Sequence, residues 1–269
     1  MSHEQAGAQR TAEPRWKRRL AVELAAQRPM LDFSDAELLA RLGRSGVLSA
    51  NHDTVVSLDW PHYCSYATAA CGGIRGWCYT LAGHHVSESH ARKVALNDLA
   101  AKRLPAEFAA QVAREVGTRV ERGELPYANI RFSGSGEAKL HHVDALAGIV
   151  ARGIRVWGFT KNPALAAALR ERGVAAIVSC DYSTRRAHLD TALKHSIPLA
   201  YSSRGVDDSP PIPVLVTFPV HASGRVTEAI DHPTLCPKVV DEFLTSTRQR
   251  GWCQERCRRC HLLPRGDAG

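Results

Sequence analysis

Residues 154–180 read IRVWGFTKNPALAAALRERGVAAIVSC. An apolar run of strand length, Ile154 to Phe159, gives way to Pro163, a residue favoured at the first position of a helix. The alanine- and leucine-rich segment to Arg172 is closed by Gly173, and a second apolar run follows from Val174 to Cys180. Strand, helix, strand is the unit of a parallel sheet. Near-continuous apolar strands, rather than alternating ones, are what a sheet covered on its faces requires.

The same unit extends in both directions. Upstream, NIRFS (residues 129–133) reads as a strand with a helix from about His142 to Arg152. Downstream, a helix from Thr184 to Lys194 leads to IPLAYS (197–202), and IPVLVTFPV (212–220) is the last strand. TVVSLD (54–59) is the first, which makes six. Right-handed crossovers then give a barrel, a partial barrel or an open sheet. The fold class expected is α/β, a partial (βα)6 barrel. Residues 203–211 are too short for a crossover helix, so the last two strands are open to a different pairing. Between the first two strands, a helical region begins at Ser87 and restarts at Pro105. Phe108, Val112, Val116 and Val120 recur there on one face until Gly123.

Ahead of the sheet, Ser34 and Glu37 form a capping box that opens a short helix ended by Gly43 or Gly46. Residues 1–30 are polar and basic, and read as a flexible lead into a short helix around Leu20 to Gln27. The organisation expected is 1–50 as this basic lead with its short helices, 51–222 as the barrel, and 223–269 as a cysteine-rich extension.

The chain has 269 residues, 44% of them hydrophobic, enough for a substantial core. No apolar run with a cleavage signal opens it and none has membrane-spanning length, so a cytoplasmic protein without membrane contact is expected. The net charge of +8 suits an anionic partner, with nucleic acid reachable through the basic termini; solubility alone accounts for it equally well.

The eight cysteines fall into two groups and one remainder. Cys64, Cys71 and Cys78 share the loop after the first strand, spaced C-x6-C-x6-C among small residues. Clustered thiolates in a reducing compartment point to zinc or an iron–sulfur cluster. Three ligands leave one position open for chemistry. At the other end Cys236 precedes a helix, and Cys253, Cys257 and Cys260 follow it as C-x3-C-x2-C. These four make a closed metal site, zinc or [4Fe–4S], with His232 and His261 as spare candidates. Cys180 is left over at a strand end. It is a catalytic thiol or hydrogen-atom donor, or else a small apolar filler. Of the adjacent His84 and His85, at most one can face a site, because neighbouring residues point in different directions.

Working groups in such folds gather in the loops after the strands' C-terminal ends. Gly134-Ser135-Gly136-Glu137 follows the second strand, Thr160-Lys161-Asn162 the third, Ser179-Cys180-Asp181 ends the fourth and Ser202-Ser203-Arg204 the fifth. Loops are polar in any case, and Glu137 also suits a helix N-terminus.

The order of these parts resembles the radical S-adenosylmethionine superfamily over roughly Thr54 to Ser203: three cysteines after the first strand, IRFSGSGEAKL at the second strand's exit, VWGFTKN at the third and IVSCD at the fourth. Trp77 stands just before Cys78, where that superfamily tends to place an aromatic residue beside the adenine. The resemblance implies a [4Fe–4S] cluster on Cys64, Cys71 and Cys78, binding of S-adenosylmethionine, and an auxiliary cluster on the terminal cysteines. Gly134, Ser135 and Gly136 would approach the methionine amine and Glu137 would pair with it. Thr160, Asn162, Ser179 and Asp181 would complete the cofactor site. It also implies an electron donor of the flavodoxin or ferredoxin type, and a small-molecule or peptide substrate. The chain departs from the superfamily's C-x3-C-x2-C loop and GGEP stretch, and its C-terminal trio carries the C-x3-C-x2-C spacing instead. The cysteine loop and the segment after it also resemble an uncharacterised phage protein family. A competing reading is a binding module for nucleic acid or protein, stapled by zinc or iron–sulfur metal and without catalysis.

Overall fold

The computed structural model describes residues 15–50, 56–68, 87–203, 210 and 212–219. They form an α/β fold around one sheet of seven strands, six of them parallel. The strands are β1 (Ser49–Ala50), β2 (Val56–Ser57), β3 (Asn129–Arg131), β4 (Arg155–Thr160), β5 (Ala175–Asp181), β6 (Leu199–Ser203) and β7 (Val216–Pro219). Every strand lies beside its successor in sequence, from β1 through β7. A sheet wound in one direction curls toward a barrel, whereas a doubly wound sheet reverses its order. Among the described residues β7 pairs only with β6, so the barrel is partial.

Two expectations change. The short β1 pairs antiparallel with β2; two residues carry no periodicity to read. And β6 and β7 are parallel after all, with Ala200 opposite Val216 and Tyr201 opposite Thr217.

The helices are α1 (Arg15–Gln27), α2 (Asp35–Ser45), α3 (Glu88–Arg103), α4 (Pro105–Glu121), α5 (Val143–Val150), α6 (Pro163–Glu171) and α7 (Arg186–Lys194). Their starts follow local chemistry. The Ser34 hydroxyl accepts from Glu37 N while the Glu37 carboxylate accepts from Ser34 N, a closed capping box. Ser87 caps α3 by accepting from His90 N, and Pro105 occupies the first turn of α4. Asn162 accepts from Ala164 N and Leu165 N ahead of Pro163.

The helix expected around Leu20 to Gln27 ends at Gln27 as read but starts earlier, at Arg15, and it is packed rather than loose. Arg19 is buried against the fully buried Glu23, their side chains 2.9 Å apart one turn along α1. A buried pair of opposite charges lets a helix that reads as polar all round lie against α3.

Alternation along the strands sorts two faces. Ile130, Phe132, Val156, Val178, Cys180, Leu199 and Tyr201 face the helices and share a core with Leu38, Leu42, Phe108, Val112, Leu146, Leu165 and Leu189. Trp157, Phe159, Ala175, Ile177, Ala200 and Val216 lie on the opposite, inner face. Among the described residues no helix is long and apolar enough to cross a membrane.

Candidate functional site

The exits of β2 and β3 are clasped together by backbone. Leu58 N donates to Arg131 O (2.9 Å), Gly134 N to Leu58 O (2.9 Å), Trp60 N to Ser135 O (3.1 Å) and Glu137 N to Pro61 O (3.2 Å). The glycines make this approach feasible. A methyl at Gly134 would overlap the Ser57 hydroxyl and the Asp59 carboxylate, and one at Gly136 (φ +69°) would overlap the Trp60 carbonyl. The side of Gly134 and Gly136 on which a side chain would stand is thus filled by the chain's own β2 exit. Ser135 is fastened as well: its N donates to Asp59 Oδ1 (2.8 Å) and its hydroxyl meets His90 Nε2 (3.1 Å).

Glu137 lies one step further out. Its Oε1 accepts from the Thr160 hydroxyl and from Lys161 N (3.2 Å). Its Oε2 has no hydrogen bond among the described residues. Loss of water pushes the carboxyl above the usual range, although Thr160 and Lys161 pull the other way. Lys161 in turn reaches Asp181, Nζ to Oδ2 3.0 Å, and the same carboxylate takes hydrogen bonds from Thr68 and Ser183. Burial opposes the ionised form of Asp181, but the Lys161 charge and these hydrogen bonds outweigh it and hold the carboxyl below its ordinary value. One polar chain, Glu137–Thr160/Lys161–Asp181–Thr68, therefore joins the exits of β3, β4 and β5 to the loop that carries Cys64.

Other expected site residues fall elsewhere. Asn162 is spent as the cap of α6. Ser179 shares the inner face with Ile177, where it is half-buried. Cys180 is corrected: strand alternation turns it away from Ser179 and Asp181, into the core beneath the helices. Its thiol donates to Ala200 O (3.4 Å), and burial pushes it up to about 12, so it is protonated and shielded. That is the behaviour of the apolar filler, not of a nucleophile at the mouth. Cys64 is half-buried in the loop after β2. Cys71, Trp77, Cys78, His84, His85, Arg204, His232, Cys236, Cys253, Cys257, Cys260 and His261 lie outside the described residues.

The described part of the cysteine loop is pinned on both sides. His62 is fully buried, its N and Nδ1 each 2.8 Å from the Glu23 carboxylate on α1. Lys139 reaches the Ser65 hydroxyl (3.3 Å) and lies over the Tyr63 ring. The Tyr63 hydroxyl donates to Asp98 (3.2 Å), where it meets Gln27, His141 and His142. None of Glu23, Asp59, His62, Asp98 or His142 announces itself in the sequence as part of a site. Each pair is distant along the chain and joins only in the fold.

Asp98, His141 and His142 bring their ligand atoms close enough for a metal ion. The hydrogen bonds decide otherwise. Lys139 N donates to His142 Nδ1 (2.9 Å), so that nitrogen holds the ring's lone pair and Nε2 carries the proton directed at Asp98 Oδ1 (2.9 Å). A neutral imidazole has one lone pair, and here the backbone uses it. The group is a tie between helices, with the Trp60 ring stacked on His142 at 4.0 Å.

A pH dependence follows. Burial depresses His142 to about 4 in the fold, despite the nearby Asp98, against about 6.5 in an unfolded chain. Between those values the unfolded chain binds the extra proton, so stability falls as pH is lowered through the window. His142→Gln keeps an acceptor for Lys139 N but cannot titrate. Urea unfolding at intervals from pH 7 to 4.5 is expected to show wild type losing up to ~1.4 kcal/mol per pH unit more than the variant. Parallel pH profiles would refute the neutral, tying role of His142.

Compared with known proteins, the chain matches no family model, no curated protein and no solved structure.

Proposed function

We propose that the protein is an iron–sulfur enzyme of the radical S-adenosylmethionine type, acting on a small-molecule or peptide substrate. The observation that carries this reading is the position of the cysteine loop's described part. It is fastened by Thr68 and Lys139 at the C-terminal edge of a singly wound parallel sheet, where such folds place their working groups. Beside it stands a carboxylate, Glu137, that is short of water and offers an unused oxygen.

The donor chemistry fits a cluster. Thiolates at Cys64, Cys71 and Cys78 would hold it with one iron open, and Cys236, Cys253, Cys257 and Cys260 would hold a second, closed one. Bound there, the cluster and S-adenosylmethionine would supply the electron and the radical precursor. The chain's own work is positioning. Glu137 Oε2 would accept from the cofactor's ammonium, a cation that relieves the carboxylate's desolvation. Thr160 and Lys161 hold Oε1, so the free oxygen keeps one direction. Lys161 and Asp181 neutralise each other at the neighbouring exit and keep a stray charge from competing.

Anaerobic purification tests the reading. A brown protein with broad absorbance near ~400 nm that forms 5′-deoxyadenosine or methylthioadenosine with dithionite and S-adenosylmethionine is the expected result. Colourless protein with stoichiometric zinc would overturn it and favour the metal-stapled binding module. Glu137→Gln sharpens the test: the amide oxygen can keep the bonds to Thr160 and Lys161, while the amide nitrogen meets an ammonium as donor against donor. S-adenosylmethionine binding is expected to weaken about tenfold with the absorbance near ~400 nm unchanged. Unaltered affinity would remove Glu137 from the site.

A further inference from the structure

Between α2 and α3 lies an open groove with a cavity volume of about 680 Å³. That lies within the range of small-molecule sites, roughly 300–1,000 Å³. Among the described residues its charged walls are all basic: Arg41 and Arg44 on α2, Arg92 and Lys93 on α3. No carboxylate of the described residues lines it. Met30 and Leu96 supply an apolar floor, and Ser45 and Ser89 also line the groove.

The four cations are not equally free. Arg92 is engaged by Glu88 one turn back. Lys93 donates a hydrogen bond to Leu48 O and feels the charges of Asp59 and Glu115. Burial pushes its ammonium below the usual range, so an anion in the groove would relieve it. Arg41 lies over the Phe33 ring, 4.2 Å to the centroid, which leaves its guanidinium donors available. Arg44 is exposed and has no ion pair or hydrogen bond among the described residues. Arg41 and Arg44 are three residues apart on one helix, so their heads share a side. Two forked guanidiniums and an ammonium match the several oxygens of a phosphate better than the two of a carboxylate.

We propose that this groove binds a small phosphorylated organic molecule, its phosphates on Arg41, Arg44 and Lys93 and its apolar portion on Met30 and Leu96. An apolar floor under a short basic groove favours a small organic ligand over a nucleic-acid strand, whose phosphates need an extended track. The inference is independent of the iron–sulfur reading, because none of these residues belongs to the cysteine loop or the sheet exits.

Calorimetric titration of the full-length protein with ATP and with inorganic pyrophosphate tests it. Wild type is expected to bind ATP, and Arg44→Glu to bind it about tenfold more weakly or not at all. Arg186→Glu, an exposed reversal on α7, should bind as wild type does. Pyrophosphate binding as well as ATP would assign the affinity to phosphate; weaker pyrophosphate binding would add the apolar floor. Arg44 has no ion pair or hydrogen bond among the described residues and stands in the last turn of α2, so its variant should stay folded, with only a slightly lower unfolding temperature. Failure of wild type to bind either probe, equal binding by Arg44→Glu, or equal loss in Arg186→Glu would each overturn the proposal.

Discussion

Gly136→Ala is expected to remove about 3 kcal/mol or more of folding stability. Two costs combine. The residue sits at φ +69°, where an L side chain costs roughly 1–2 kcal/mol. Its Cβ would also overlap the carbonyl oxygens of Trp60 and Pro61, and both are backbone that the β2 exit holds in place. Forcing a methyl into a filled space typically costs about 1–3 kcal/mol more. Gly123 separates the two terms, since it has the same hand of backbone (φ +70°) with nothing near its missing Cβ. Gly123→Ala should therefore cost only the conformational part, ~1–2 kcal/mol. Urea unfolding of both variants at pH 7 reads the difference, and equal costs would mean that the clasp between the β2 and β3 exits is looser than described. The clasp also bears on the proposed role of Glu137. Any shift at Gly136 moves Glu137, whose own N–H is bonded to Pro61 O.

What the sequence reveals here is whatever acts within a few residues. Ser34 with Glu37, Ser87, and Asn162 with Pro163 mark helix starts because each cap bonds to its own first turn. The strands are legible because burial on both faces leaves continuous apolar runs. The polar exits can be named from strand ends alone, and Glu137, Thr160, Lys161 and Asp181 do meet. Cys180 is the exception among the exits: the two-residue period of a strand sends it to the face opposite Ser179 and Asp181. Other features had no local signal. Arg19 and Glu23 read as an ordinary exposed pair one turn apart, and only His62, distant along the chain and bonded to Glu23, shows that the pair is buried. Gly134 and Gly136 read as backbone that something approaches closely, and only the fold shows that Ser57, Asp59 and Trp60 fill the side where a Cβ would stand.

Asp98→Ala is expected to be the most damaging single polar substitution in the described part of the chain. Asp98 is almost fully buried on α3 and takes hydrogen bonds from Gln27 on α1, Tyr63 of the cysteine loop, and His141 and His142 ahead of α5. Burial alone would raise its carboxyl. The hydrogen bonds from His141 and His142, with that from Gln27, overcome this and hold it well below the usual carboxylate range. It is thus a buried anion whose compensation comes from donors on three separate segments. Removing it leaves the His142 Nε2–H inside the protein with nothing to donate to, and such a broken buried network costs about 3–5 kcal/mol. Asp98→Asn preserves the volume but offers a single acceptor to these donors, so a smaller loss of about 2 kcal/mol is expected. The pH response distinguishes a charge from a shape. A carboxylate with a depressed pKa contributes its full stability above its unfolded value near ~4 and loses it only as pH falls further. The gap between wild type and Asp98→Asn should therefore be constant from pH 7 to 5 and narrow in stronger acid, whereas the His142 effect already develops between pH 6.5 and 4. A gap that closes by pH 5 would mean that Asp98 is not held ionised by its partners, and the helices would then owe their arrangement around the cysteine loop to packing alone.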